Sequence, residues 1–96
     1  MQHLAIFRVK PEATEEQQEP LRRPEAMKVW ELIQEDVLRS IHFIPKGAVL
    51  QLETKDAVEA ERYINQLPMV REHVVSVELL PLRPFTGLKD LFGSEK

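Results

Sequence analysis

The chain has 96 residues, of which 43% are hydrophobic and 30% are charged, and its formal net charge is -3 at pH 7. A chain of this length forms one domain and buries only about 60–65% of the surface that its unfolded form exposes, so association would add to its stability. The acidic balance argues against nucleic acid or an anionic membrane as the main partner, because those interfaces need clustered positive charge. The absence of cysteine excludes a disulfide framework, a thiolate nucleophile and a sulfur-ligated metal.

The N-terminal apolar run is too short before Arg8 to be typical of a signal peptide. No segment approaches the ~20 apolar residues that a membrane-spanning helix requires. We therefore expect a cytoplasmic protein with no membrane partner.

Residues 2–10 form an apolar run that Pro11 closes, which predicts a first strand. Successive side chains of a strand alternate between faces, and both faces of this run are largely apolar. The pattern predicts a strand in the middle of a sheet that is covered on both sides.

A capping box at Thr14 and Gln17 predicts a helix start, but Pro20 and Pro24 follow closely. We expect a short first turn, a kink, and a main helix that begins near Pro24, where proline suits the first turn. The helical stripe predicted to be buried consists of Ala26, Val29, Trp30, Ile33 and Val37. Asp36 is expected to end this helix because aspartate tolerates the left-handed conformation.

Residues 38–44 and 48–54 are predicted to be two strands joined by the turn Pro45-Lys46-Gly47, with Gly47 supplying a positive φ. A second capping box at Asp56 and Glu59 predicts another helix, which ends at Leu67-Pro68. Residues 70–82 are predicted to form the last strand.

The order β-α-β-β-α-β predicts a ferredoxin-like α+β fold, in which both helices cover one face of a four-stranded antiparallel sheet. The domain is expected to comprise residues 1–84. The apolar strand residues on the uncovered face predict a homodimer with the sheets face to face. A tail of residues 85–96 carries Phe85, Leu88, Leu91 and Phe92 and is expected to pack either on its own domain or, as we favour, across the partner subunit.

Four segments resemble the muconolactone isomerase family of small dimeric α+β barrel proteins. They are V-L-x-L-E-T-x-D from Val49, N-Q-L-P-M-V from Asn65, V-E-L-L-P-L-R-P-F from Val77, and a looser V-K-P from Val9. The resemblance implies sheet-to-sheet dimers, some of which assemble further. It also places Lys10, Glu53 and Glu78 where such sequences tend to have Lys and Glu, whereas His42 stands where they tend to have an aromatic residue.

If the registers agree, Arg8, His42, Gln51 and Glu78 share one face of the sheet. These side chains could hold a small carboxylated ligand and move a proton, with His42 or Glu78 as the catalytic group and Arg8, Gln51 and Trp30 as substrate-binding residues. The alternatives are an Arg8–Glu78 ion pair within a dimer interface, a structural His42, polar filling by Gln51, and a core position for Trp30.

No metal is expected, because His3, His42 and His73 lack the spacing of a metal site. No nucleotide cofactor is expected either, because the three glycines do not form a phosphate-binding loop. The resulting hypothesis is a cofactor-independent isomerase or lyase acting on a small carboxylated lactone or organic acid. The alternative is a non-enzymatic module for ligand binding or assembly.

Overall fold

The protein folds into a four-stranded antiparallel sheet, and the helices of its two crossovers lie on one face of that sheet, as the sequence predicts. The structure is a computed structural model, and it describes residues 1–92. The strands are β1 (Gln2–Val9), β2 (Leu38–Ile44), β3 (Gly47–Glu53) and β4 (Val75–Leu82), and the helices are α1 (Glu15–Gln18), α2 (Arg22–Gln34), α3 (Ala57–Ile64), α4 (Pro68–Arg71) and α5 (Lys89–Phe92). Within residues 1–92, each helix is too short or too polar to cross a membrane.

The strand order is β2-β3-β1-β4, which puts β2 at an edge and confirms the predicted central position of β1. The core lies between the sheet and the helices. It contains side chains from the helix-facing side of the strands, from α2 and α3, and from the residue that precedes α4, namely Ala5, Phe7, Leu38, Leu50, Leu52, Leu32, Ala60, Ile64 and Leu67. This is the ferredoxin-like α+β architecture, and in the described part of the chain its second sheet face carries no helix.

The interrupted first crossover also agrees with the sequence. Gln17 N–H donates to Thr14 Oγ1 at 3.1 Å, and Thr14 N–H donates to Gln17 Oε1 at 2.8 Å, which completes the predicted capping box. A 3-10 turn at Glu19–Leu21, which contains Pro20, then separates α1 from α2. The main helix begins at Arg22, so that Pro24 falls in its first turn as expected.

The predicted buried stripe of α2 is wrong at three of its five positions, whereas Val37 is buried and Val29 is half-buried as predicted. Trp30 is 60% exposed, and Ala26 and Ile33 are also not buried. The residue of α2 that is fully buried is Leu32, and Glu25 and Val29 are half-buried beside it. The helix is therefore rotated about its axis relative to the prediction. The spacing of Trp30 and Ile33 shows that they share one side of the helix, but it does not show that this side packs on the sheet. Asp36 follows the helix with φ 63, which confirms its left-handed conformation.

The turn between β2 and β3 corrects another prediction. The positive φ belongs to Lys46, at 58°, and not to Gly47. Gly47 is required for a different reason, since a Cβ at this position would lie 1.9 Å from the carbonyl oxygen of Phe7. The glycine allows the backbones of β3 and β1 to approach at the start of their pairing.

The last strand starts later than predicted, at Val75 instead of residue 70. Residues 68–71 form α4, with Pro68 at its first position, where proline's fixed φ favours a helix. His73, with φ 61, then redirects the chain into β4. The prediction treated Pro68 only as the end of one helix and not as the start of another.

The C-terminal segment extends from the sheet without covering its own domain. Among its described residues, the apolar side chains Phe85, Leu88, Leu91 and Phe92 are between 55% and 78% exposed. The predicted tail also includes residues 93–96, which lie outside the described residues. Packing of this segment on a partner subunit stays a prediction.

The close approach at Gly47 gives a first testable prediction. Gly47→Ala should lower the free energy of unfolding by about 1–3 kcal/mol, because the new methyl group meets a backbone oxygen that cannot move without disturbing the β1–β3 pairing. The measurement is urea denaturation followed by circular dichroism.

The neighbouring substitution Lys46→Gly serves as the matched control. It relieves the left-handed conformation at position 46 and should stay within about 1 kcal/mol of wild type. Equal stability of the Gly47→Ala variant and wild type would contradict the steric argument.

Candidate functional site

The open face of the sheet carries the four polar residues that the sequence predicts to lie together. Glu78 pairs with Ile6, Gln51 with Leu4, and His42 with Val49, and these registers put all of them on the same face as Arg8. A β-bulge at Arg39 sets this arrangement, because it lets Leu38 face the helices while Ser40 and His42 face the other way. The condition on which the grouping depends, the agreement of the registers, is therefore met.

The open face does not bring the two predicted catalytic groups close together. His42 and Glu78 lie in one row that crosses the whole sheet, with Val49 and Ile6 between them. They are three strand spacings apart, or roughly 14 Å. A small ligand cannot contact both within one subunit.

Arg8 and Glu78 form the cross-strand ion pair that was one of the two alternatives for them. Arg8 Nη1 donates to Glu78 Oε1 at 3.1 Å, and both side chains are about half-exposed. An ion pair of this kind at the surface contributes roughly 0–1 kcal/mol to the free energy of unfolding. Trp30 is not near these residues, since it lies on α2 and α2 covers the opposite face of the sheet.

A cavity of about 620 Å³ opens between α2 and the helix-facing side of the sheet. Its buried wall is apolar and includes Phe7, Leu50 and Val75, and its exposed rim includes Phe43, which is 93% exposed. The polar groups of the lining are Gln18, Arg22, Glu25 and Lys46. This volume and this composition are typical of a small-molecule site.

Glu25 is the carboxylate of this lining. Its Oε1 accepts a hydrogen bond from the backbone N–H of Met69, at 2.9 Å, in the first turn of α4. Burial raises the pKa of the Glu25 carboxyl, and the hydrogen bond from Met69 acts in the opposite direction. A carboxyl group with this shift can gain and lose a proton closer to neutral pH than an exposed one.

The sequence does contain a signal for Glu25. Leu21, Glu25, Val29 and Leu32 are separated by four, four and three residues, which is the spacing of one helical face. Three members of this series are apolar, so the glutamate stands on the buried stripe. Assigning the stripe to Trp30 and Ile33 left this signal unused.

Arg22 stands at the rim of the cavity and is held from outside by α1. Arg22 Nη1 donates to Glu15 Oε2 at 2.6 Å and Nη2 donates to Glu15 Oε1 at 2.9 Å. The hydrogen bonds from Arg22 lower the pKa of the Glu15 carboxyl. Glu15 is not part of the cavity lining.

Two other features of the structure are weaker candidates. A more polar and more open depression of about 650 Å³ lies between α2 and α4, and its lining includes Lys28, Glu31 and Arg71, all of which are charged and border solvent. His3 is 1% exposed, and neither of its ring nitrogens has a hydrogen-bond partner among the described residues, but it does not line the cavity. Residues 1–92 contain no cluster of three or more histidine, aspartate or glutamate side chains that could hold a metal ion.

Comparison with known proteins supports the fold. No protein-family model and no curated protein matches the sequence. A solved structure of 5-chloro-2-hydroxyhydroquinone dehydrochlorinase from Burkholderia phenoliruptrix, in complex with 2,5-dihydroxybenzoquinone, is similar in three dimensions with a TM-score of 0.70. The two chains are 9% identical, and the match covers 88% of this chain and 96% of the other, so the similarity concerns the fold alone.

The raised pKa of Glu25 predicts a pH dependence of stability. The folded protein binds this proton more tightly than the unfolded chain does, so wild type loses stability as pH rises from the ordinary value of 4.5 through the raised folded-state value. Glu25→Gln removes this loss while its amide oxygen can still accept the N–H of Met69. The variant should be more stable than wild type at pH 7, and this advantage should shrink towards zero below pH 4.5.

Denaturant unfolding at several pH values measures this difference. Glu31→Gln, an exposed substitution on the same helix, is the control and should change stability by less than about 0.5 kcal/mol. An advantage of the Glu25→Gln variant that does not vary with pH would contradict the argument from burial.

Proposed function

We propose that the protein is a cofactor-independent enzyme that transfers a proton on a small cyclic organic acid or lactone bound between α2 and the sheet. The observation that carries the proposal is a half-buried carboxyl, Glu25, in the wall of an otherwise mostly apolar cavity. Perturbed titratable groups in such a cavity are candidates for general acid–base catalysis. The fold similarity to a dehydrochlorinase is compatible with this class of reaction, because removing HCl from a substrate also requires removing a proton.

Glu25 would act first as a base and then as an acid. As a base, the carboxylate takes a proton from a carbon next to a carbonyl group, the C–H bond breaks, and its electron pair moves to the carbonyl oxygen. As an acid, the Glu25 O–H returns the proton to another carbon of the conjugated system, which shifts the double bond. The step balances without an oxidant or reductant, and a well-placed group of this kind contributes roughly 10²–10⁴-fold in rate.

The open face supports a second site hypothesis. There, His42 or Glu78 transfers the proton and Arg8 and Gln51 orient a carboxylate. Their common face supports it, whereas the separation of His42 from Glu78 and the existing Arg8–Glu78 pair weigh against it. We therefore favour the cavity.

Proton exchange separates the two sites. The protein is incubated in D₂O with a carboxymethyl-butenolide or with 2,5-dihydroxybenzoquinone, and loss of the exchangeable C–H signal is followed by NMR. Glu25→Gln should slow the exchange at least about 10²-fold, because it removes the proton-transferring group. Glu31→Gln, His42→Gln and Glu78→Gln should each remain within a few-fold of wild type.

Exchange that survives in the Glu25→Gln variant but is lost on substitution of His42 or Glu78 would move the chemistry to the open face. The absence of exchange with every ligand of the panel would favour the alternative function, a non-enzymatic module for binding or assembly. The Arg8–Glu78 pair is compatible with that alternative, since a paired charge on an apolar face can fix how two sheets meet.

We also propose that the protein forms a homodimer through the open face. Leu4, Ile6 and Val49 form the apolar middle of this face, and Leu80 at its edge is 38% exposed. Burial of this patch against a second copy would remove apolar surface from water, which stabilises the association by about 25 cal/mol for each Å² buried. The proposal accounts for apolar residues on both sides of the central strand.

Light scattering tests the dimer. Wild type should be dimeric at micromolar concentration, and Ile6→Glu should shift the protein to monomer because it places a charge at the centre of the face. Val58→Glu makes the same kind of change at a residue of α3 that is 73% exposed and should leave the dimer intact. A monomeric wild type would rule out the proposal.

A further inference from the structure

The rim of the cavity between α2 and the sheet carries more positive than negative charge. Arg22 and Lys46 both belong to the lining, and the carboxyl among the described lining residues is Glu25. The lining therefore has two cationic side chains for one carboxyl group. A site with this balance attracts an anion in preference to a cation.

Of the two cations, Arg22 has the better geometry for recognising a carboxylate. A guanidinium has five N–H donors in a planar fork, and Glu15 uses two of them, one on each terminal nitrogen. Three donors, including the N–H of Nε, are left for a ligand. Lys46 is a point charge on a turn and can offer no such pair of parallel hydrogen bonds.

The pair with Glu15 does not block this role. Glu15 is exposed and Arg22 is about half-exposed, so an ion pair of this kind contributes little to stability. A ligand carboxylate next to the apolar wall meets the guanidinium in a less polar environment, where a charged hydrogen bond contributes more. Weakening or losing the Arg22–Glu15 pair therefore costs little free energy compared with the binding free energy that the contact between Arg22 and the ligand supplies.

We propose that Arg22 binds the anionic group of the substrate at the cavity rim and thereby makes the site selective for organic acids over their neutral analogues. The proposal rests on the function proposed above, because it uses the same cavity and assigns its substrate class. The apolar body of the ligand then lies against Phe7 and Leu50, and its reacting carbon lies deeper, towards Glu25. Arg22 and Glu25 are three residues apart on α2, which puts them on neighbouring positions of one helix side.

Calorimetric titration with a matched pair of ligands tests the selectivity. The probes are a carboxymethyl-butenolide and its methyl ester, which differ in charge but little in shape. Wild type should bind the acid more tightly than the ester. Arg22→Met should weaken binding of the acid by about 10–100-fold and leave binding of the ester unchanged, because it removes a hydrogen bond to a charged group.

Two further variants make the test specific. Arg22→Lys keeps the positive charge but lacks the planar set of guanidinium N–H donors. Its affinity for the acid should lie between that of wild type and that of Arg22→Met. Lys46→Met removes the other cation of the same lining and should weaken binding of the acid by less than Arg22→Met does. Thermal denaturation of each variant checks that the fold is intact, and Arg22 is exposed enough for its replacement to be tolerated.

Equal affinity of wild type for the acid and the ester would overturn the proposal, as would an unchanged preference for the acid in the Arg22→Met variant. The exchange assay distinguishes this failure from failure of the proposed function. Exchange without a preference for the acid leaves proton transfer by Glu25 standing and rejects the role of Arg22. A preference for the acid without exchange supports Arg22 and rejects the enzyme, and binding of neither ligand rejects both.

Discussion

The burial of Leu32 fixes how α2 lies on the sheet, and the candidate site depends on that placement. Leu32 is near the C-terminal end of the helix and is fully buried, whereas the N-terminal half contributes only half-buried residues. Burying a leucine side chain stabilises a fold by about 1.5–3 kcal/mol, so one residue is enough to anchor the helix at one end. Towards Arg22 the space between helix and sheet is not filled, and the cavity occupies it.

This placement also explains why a carboxyl group lies on the buried side of α2. At Glu25 the helix faces the cavity and the first turn of α4, where Met69 has a backbone N–H that α4 itself does not use. The carboxylate satisfies that donor, which offsets part of the cost of its burial. The short helix α4 therefore holds the group that we propose to transfer the proton.

Much of the fold can be read from the sequence because the relevant signals are local. The signals from the capping residue Thr14, the interruption at Pro20, the helix start near Pro24 and the left-handed Asp36 act within a few residues of the chain, and the structure has all of them. The apolar residues on both faces of β1 likewise predict its central position. Contacts between residues far apart in the chain are harder to predict. Nothing in the local sequence indicates that the backbone of Phe7 lies against Gly47.

The candidate site was harder to predict for the same reason. Strand alternation correctly placed Arg8, His42, Gln51 and Glu78 on one face, but alternation says nothing about how far apart they lie across the sheet. The residues of the cavity come from segments far apart in the chain, and they meet only because α2 is turned towards Glu25 and away from Trp30. The sequence of α2 has two apolar stripes. Packing against the sheet determines which of them is buried, and the sequence of α2 alone does not contain that information.

The two faces of the sheet differ in how their charges are balanced, and this difference bears on which of them carries the chemistry. On the open face, Arg8 already has Glu78 as a partner, so the pair presents little net charge to a ligand and suits a surface that meets another surface. On the helix face, the partner of Arg22 is outside the cavity, and the carboxyl inside the cavity accepts its hydrogen bond from a backbone N–H. The groups that we propose to bind an anion and to transfer a proton thus line one cavity, and Glu25 among them is partly shielded from water, where a charged group acts more strongly.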